Sequence, residues 1–161
     1  MERRPFGPGR GHVAVIGQGT WYLEQGERRR AIAGAEGIAC NQVLYHVQER
    51  AIEHAIIPWC ERHGVTVVAY SPFGHRSFPG PRTPGGRVLQ QIAATHQATP
   101  RQVALRFLAR RPSTVTIPRT GNPEHVAENA GAGDLVLSRE ALDRIDAAFP
   151  RGPRPRELPM L

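Results

Sequence analysis

Apolar positions along this chain fall into two rhythms that succeed each other: short β-branched runs, and longer stretches with helical spacing. Residues 13–16 form a short apolar run bounded by Gly17 and predict a strand. Residues 24–33 begin like a helix, but the apolar face of Ala31 and Ile32 covers barely one turn before Gly34. Residues 38–45 predict the next strand. Residues 48–57 then carry Ala51, Ile52, Ala55 and Ile56 at helical spacing. Pro58 opens a second helical piece, 59–63, which Gly64 ends. Residues 65–70, VTVVAY, are a continuous apolar run and predict a strand buried on both faces.

A Pro/Gly loop is expected over 71–86, followed by a helix over 87–96 with Val88, Leu89, Ile92 and Ala93 inward. Thr99 and Pro100 form a cap-and-first-turn pair for a helix running to Arg110. Residues 115–117 predict a strand, Asn122-Pro123 opens a short helix, and Ser138 caps the last one, with Leu142, Ile145 and Phe149 inward. From Pro150 the chain is proline-rich and is expected to lie along the surface. Strands alternating with helices imply a parallel sheet, with ligands held by the loops at the carboxyl ends of its strands.

Composition narrows the chemistry. The 161 residues carry 21 basic and 14 acidic side chains, a net charge of +7, and every basic residue is arginine. Asp occurs only at Asp134, Asp143 and Asp146. A mechanism that needs a titratable lysine, or an aspartate before residue 134, is therefore excluded, because arginine keeps its proton at working pH. Arginine without lysine, in few clusters and with few aromatics nearby, reads as a compositional bias and not as a nucleic-acid footprint. Two cysteines, Cys40 and Cys60, without a CxxC pair give no metal framework. No apolar run has the length of a membrane span, and the charged opening is not followed by the apolar stretch of a secretory leader. A cytoplasmic location with reduced thiols is the expectation.

Two segments offer chemistry. In Ala69-Tyr70-Ser71-Pro72-Phe73-Gly74, a tyrosine leaves a buried strand into a rigid turn, where its flat ring can either stack on a planar ligand or cap the core. In 117–129, IPRTGNPEHVAEN, a strand ends at Pro118 and a helix starts at Pro123. Arg119, Thr120 and the free N–H groups of that helix start can hold a phosphate, or the helix can simply be capped and its arginine solvated. His125 and Asn129 lie four apart, on one helix face.

These segments, with IACNQVLYH and the opening IGQGTW, resemble the aldo-keto reductase family over most of residues 13–150. The pattern NQ…YSPFG…IPRT-x4-H-x3-N is specific to it. The resemblance implies an α/β fold derived from a (β/α)8 TIM barrel that binds NADP(H). Here the barrel would be partial, with about four parallel strands and flanking helices: strand one joined directly to strands six to eight across 34–37. One incomplete domain would span 1–161, with a lead-in over 1–11, the first strand and helix start over 12–33, a half-barrel over 38–150 and a tail over 151–161.

The resemblance also implies roles. Gln42 would hydrogen-bond the nicotinamide carboxamide, Tyr70 would stack on the nicotinamide, and Ser71 and Phe73 would line the pyrophosphate path. Arg119, where the family often has lysine, would hold the 2′-phosphate with Thr120. His125 would assist with that phosphate, Glu128 and Asn129 would meet the adenine, and Trp21 would face the substrate. The family's catalytic Asp, Tyr, Lys and His come from segments absent from this sequence, so no catalytic residue is assigned. A chain of this kind is expected to be inactive alone and to associate through open sheet edges. A non-catalytic NADP-binding or barrel-complementing module is the competing expectation, and a nucleic-acid binder ranks last.

Overall fold

The computed structural model describes residues 3–5, 12–14, 39–75 and 77–156. Strands β1 (Arg3–Pro5) and β2 (His12–Ala14) pair antiparallel with each other. The main sheet is parallel and three-stranded, in the order β3 (Cys40–Leu44), β4 (Thr66–Tyr70), β5 (Thr114–Thr116). The expected strand over 13–16 thus overlaps β2, whose ladder runs to Arg3–Pro5 and not to the main sheet. Among the described residues the parallel sheet has three strands, against an expectation of about four for the whole chain. The helix start over 24–33, the junction over 34–37 and Trp21 lie outside the described residues.

Between the strands run α1 (Ile56–His63), α2 (Pro84–Thr95), α3 (Pro100–Leu108), α4 (Pro123–Gly131) and α5 (Arg139–Ala148). Thr83, Thr99, Asn122 and Ser138 each cap a helix start by accepting from a backbone N–H two or three residues on. Proline sits at the first position of α2, α3 and α4, where its missing N–H has no partner to lose.

Two helices depart from the pattern read in the sequence. The helix expected over 48–57 is a single 3-10 turn, Ala51–Glu53, and α1 begins later and passes through Pro58 in its first turn. First-turn N–H groups lack intrahelical acceptors, so proline does no damage there. Arg50 and Glu53, which the sequence reading did not single out, are both buried. Helix α2 starts at Pro84, three residues before the expected start, with Gly85 and Gly86 buried in its first turn. These glycines are not loop residues. A Cβ on Gly85 would come within 2.4 Å of Phe149 Cζ, and one on Gly86 within 2.0 Å of the Gly80 carbonyl oxygen.

The helices cover one face of the sheet. Val67 and Ala69 are fully buried against Ile57, Leu89, Val103, Phe107, Leu108 and Ile145. The register Gln42↔Val68↔Val115 puts these three on the opposite face, with Tyr70 two residues on from Val68. That face is open: Gln42 and Val115 are exposed, and Thr66, Val68 and Tyr70 are half-buried. The VTVVAY run is therefore buried on one face only, because nothing among the described residues closes the sheet over the other.

Candidate functional site at the carboxyl end of the sheet

The carboxyl ends of β4 and β5 bring the two informative segments side by side, since β4 and β5 are hydrogen-bonded neighbours. After Tyr70 the chain turns sharply. Ser71 takes a left-handed φ of 51°, Pro72 is buried, and Gly74 N–H donates to the Ser71 carbonyl at 2.8 Å with its own φ at 67°. A serine at positive φ carries a steric cost that glycine does not. It is held there by the turn hydrogen bond and by the fixed φ of the proline that follows. Tyr70 and Gln42 share the open face of the sheet, Gln42 one pleat deeper, because Leu44 is the register partner of Tyr70.

Beyond β5, Ile117 N–H still donates to the Ala69 carbonyl at 3.1 Å, which extends the pairing to the rim. Arg119 is exposed there and has no ion-pair partner among the described residues. Thr120 Oγ accepts from Asn122 N–H at 3.1 Å and lies 3.5 Å from His125 Nδ1. Asn122 Oδ1 accepts from Glu124 N–H at 2.9 Å, so the start of α4 is a preformed turn with a hydroxyl and an imidazole beside it. A groove of about 420 Å³ between α3, β5 and α4 is lined by Arg106, Thr116, Pro118, Thr120 and Asn129 among others. That size is within the range of ligand clefts.

Glu128 is turned toward α3. Thr99 Oγ donates to Glu128 Oε1 at 2.5 Å, and Gln102 Nε2 donates to the Glu128 carbonyl at 2.8 Å. Sequence reading treated Thr99 as a cap alone and did not single out Gln102 or Arg101. The signal for Gln102 was present in Thr99-x-x-Gln102, a capping-box spacing. Phe73 also has an unanticipated environment: it meets Phe78 edge-on, and Arg101 lies over both rings.

A second polar cluster fastens the frame beneath the site. Glu53 accepts from Arg50 at 2.8 and 2.7 Å, from Tyr45 Oη at 2.5 Å and from Arg110 at 3.1 Å. Burial alone would raise the Glu53 carboxyl, but hydrogen bonds from Arg50 and Tyr45, with the charges of Arg110 and Arg50, hold it down at about 2. Burial pushes the Tyr45 phenol well above its ordinary value. Arg50 also donates to the Phe149 carbonyl at 2.6 Å and to Asp146 at 2.6 Å, which ties α5 to the segment after β3. Both guanidiniums lie over the Phe107 ring, at 5.0 and 4.0 Å. The cluster is closed on itself and faces the helix layer.

Among the described residues there is no group of three metal-ligating side chains, and no helix is long and apolar enough to cross a membrane.

Comparison with known proteins matches this arrangement. The model of the aldo/keto reductase family matches residues 10–149. Methylglyoxal reductase YeaE of Escherichia coli is 32% identical over 119 residues, covering 74% of this chain and 42% of its own length. An aldo/keto reductase from Klebsiella pneumoniae, solved with NADP and acetate, superposes with a TM-score of 0.69 at 35% identity, over 76% of this chain and 44% of that one. A thermostable aldo-keto reductase solved with the inhibitor epalrestat gives a TM-score of 0.68 at 32% identity, over 79% of this chain and 51% of that one. The chain thus spans about half the length of the proteins it matches, or less. Its parallel strands and flanking helices are part of a TIM barrel, and the chain belongs to the aldo/keto reductase family.

Proposed function

We propose that this chain holds NADP(H) across the carboxyl end of its parallel sheet, as the cofactor side of an aldehyde or ketone oxidoreductase. The observation that carries the reading is the pairing of β4 with β5, which sets the Tyr70 turn beside the Arg119–Asn129 segment. The residues fit the group. Tyr70 offers a half-buried ring on the open face, with the Gln42 amide on the same face for a carboxamide. Thr120 and His125 meet at the start of α4 with Arg119 next to Thr120 in the chain, so that a 2′-phosphate there would find a hydroxyl, an imidazole and a guanidinium. Asn129 and the groove beside it suit the adenosine, while Glu128 has one carboxylate oxygen already bound to Thr99. A similar Klebsiella protein was solved with NADP, which supports the choice of cofactor.

Bound NADPH would supply a hydride to a carbonyl carbon. The matching proton has no donor of the family's kind in this sequence, which lacks lysine and has no aspartate before residue 134. Loss of general acid catalysis costs about 10²–10⁴-fold, so the chain alone is expected to bind cofactor without reducing carbonyls. The reading includes a cytoplasmic location, in keeping with the free thiols of Cys40 and Cys60.

The test is an NADPH titration of the full chain followed by intrinsic fluorescence. Tyr70→Ala and Arg119→Ala are each expected to weaken binding by about tenfold or more, and Arg119→Ala to spare NADH. No NADPH binding by the unsubstituted chain would refute the reading. Equal affinity for NADH and NADPH would refute the roles given to Arg119 and Thr120. A barrel-complementing role for the same chain is favoured by a separate observation, the exposure of Val115 and Ile117 along a sheet edge that is unpaired among the described residues.

A further inference from the structure

The first turn of α3 touches both halves of the candidate site. Thr99 and Gln102 close a capping box on each other, at 2.9 and 3.2 Å, and both also bond Glu128 of α4. Arg101 lies between them in sequence. Its guanidinium carbon sits 5.0 Å from the centre of the Phe73 ring and 4.9 Å from that of Phe78. Those two rings meet at 88°, with centres 5.7 Å apart. Phe73 belongs to the turn after Tyr70, and Glu128 to the helix after Thr120. The start of α3 therefore contacts both segments to which the NADP(H) reading assigns the dinucleotide.

We propose that Arg101 binds the pyrophosphate bridge of the dinucleotide; the inference rests on the NADP(H) reading above. The group lying between the two nucleosides of such a ligand is a diphosphate. Arg101 meets three requirements for holding it. The two ring faces hold the guanidinium by attraction to its charge, and this leaves N–H donors for a phosphate. Among the described residues, no side-chain hydrogen bond or carboxylate engages those donors, whereas Arg50, Arg110 and Arg111 are each committed to a glutamate. The two rings also fix the side chain in advance, so little freedom is lost on binding. The positive end of α3 adds attraction of the same sign.

The experiment compares NADPH with adenosine 2′-monophosphate, which keeps the adenine and the 2′-phosphate but has no diphosphate. In the full chain, Arg101→Gln is expected to weaken NADPH about tenfold or more. It should flatten the salt dependence of that binding and leave adenosine 2′-monophosphate unchanged. Arg101→Lys, which keeps the charge without the planar fork, should fall between the two and retain the salt dependence. If Arg101 only fastens the Phe73 turn, Arg101→Gln will lower the melting temperature and keep the wild-type salt dependence, and the proposal is overturned. Equal weakening of both ligands, or unchanged NADPH affinity, overturns it too while leaving the NADP(H) reading intact. Failure of the unsubstituted chain to bind NADPH overturns both.

Discussion

Arg50 and Glu53 form a two-pronged pair, Nε to Oε1 at 2.8 Å and Nη2 to Oε2 at 2.7 Å, with side chains only 3% and 2% exposed. Water does not screen this pair, unlike Arg139–Asp143 on the surface. Removing one member of a buried pair strands the other, which typically costs about 3–5 kcal/mol. Glu53→Gln would leave Arg110 without its anion and Arg50 with Asp146 alone.

The pH dependence follows from the same carboxylate. Glu53 is held at about 2, below its unfolded value near 4.5, so its contribution to stability is complete above about pH 5. It is lost as pH falls from there through about 2. Urea unfolding from pH 6 to pH 2 should therefore show a decline that is shallower in Glu53→Gln. Identical slopes in both proteins would contradict the role given to this pair. On the alkaline side the raised Tyr45 phenol works in the opposite sense. Its share of stability is present below the ordinary phenol value and is lost as pH climbs past it.

Glycines at the start of α2 make a second prediction. A Cβ on Gly85 would press on the Phe149 ring, which is itself fixed under α5, and one on Gly86 would meet the backbone carbonyl of Gly80. Neither neighbour can rotate away freely. Gly85→Ala should cost about 1–3 kcal/mol by overpacking, and Gly86→Ala more. Gly121, with nothing within 4 Å of an added Cβ and an ordinary φ, is the control and should change by less than about 0.5 kcal/mol. Thermal unfolding of the three variants checks the order.

These same residues mark where the sequence could be read and where it could not. Helix starts at Thr99, Asn122 and Ser138 were legible because a cap acts within three residues of itself. The start of α2 was not, because Gly85 is required by Phe149, some sixty residues away, and a local reading of Pro and Gly gives a loop. Arg50 and Glu53 were not singled out for a similar reason: their partners Asp146 and Arg110 are distant in sequence. At the site, Tyr70, Thr120 and Asn129 could be named from motif spacing. Arg101 could not, since its place over Phe73 and Phe78 depends on how the 71–83 loop lies against α3.

The open face of the sheet carries the last prediction. Parallel strands are ordinarily covered on both sides, yet Val115 is 46% and Ile117 44% exposed, and among the described residues β5 pairs only with β4. Strand β3 is likewise bonded on one side alone among the described residues. An edge with free N–H and C=O groups beside an apolar patch invites pairing with another chain. Sedimentation velocity should show association that strengthens with protein concentration. Val115→Arg combined with Ile117→Arg should weaken it, because two cations would have to be desolvated in the interface. Neither residue is in the buried core, so the double variant should keep the melting temperature of its monomer near that of the parent. A chain that sediments as a monomer at every concentration, with and without these substitutions, would show that this face needs no second copy.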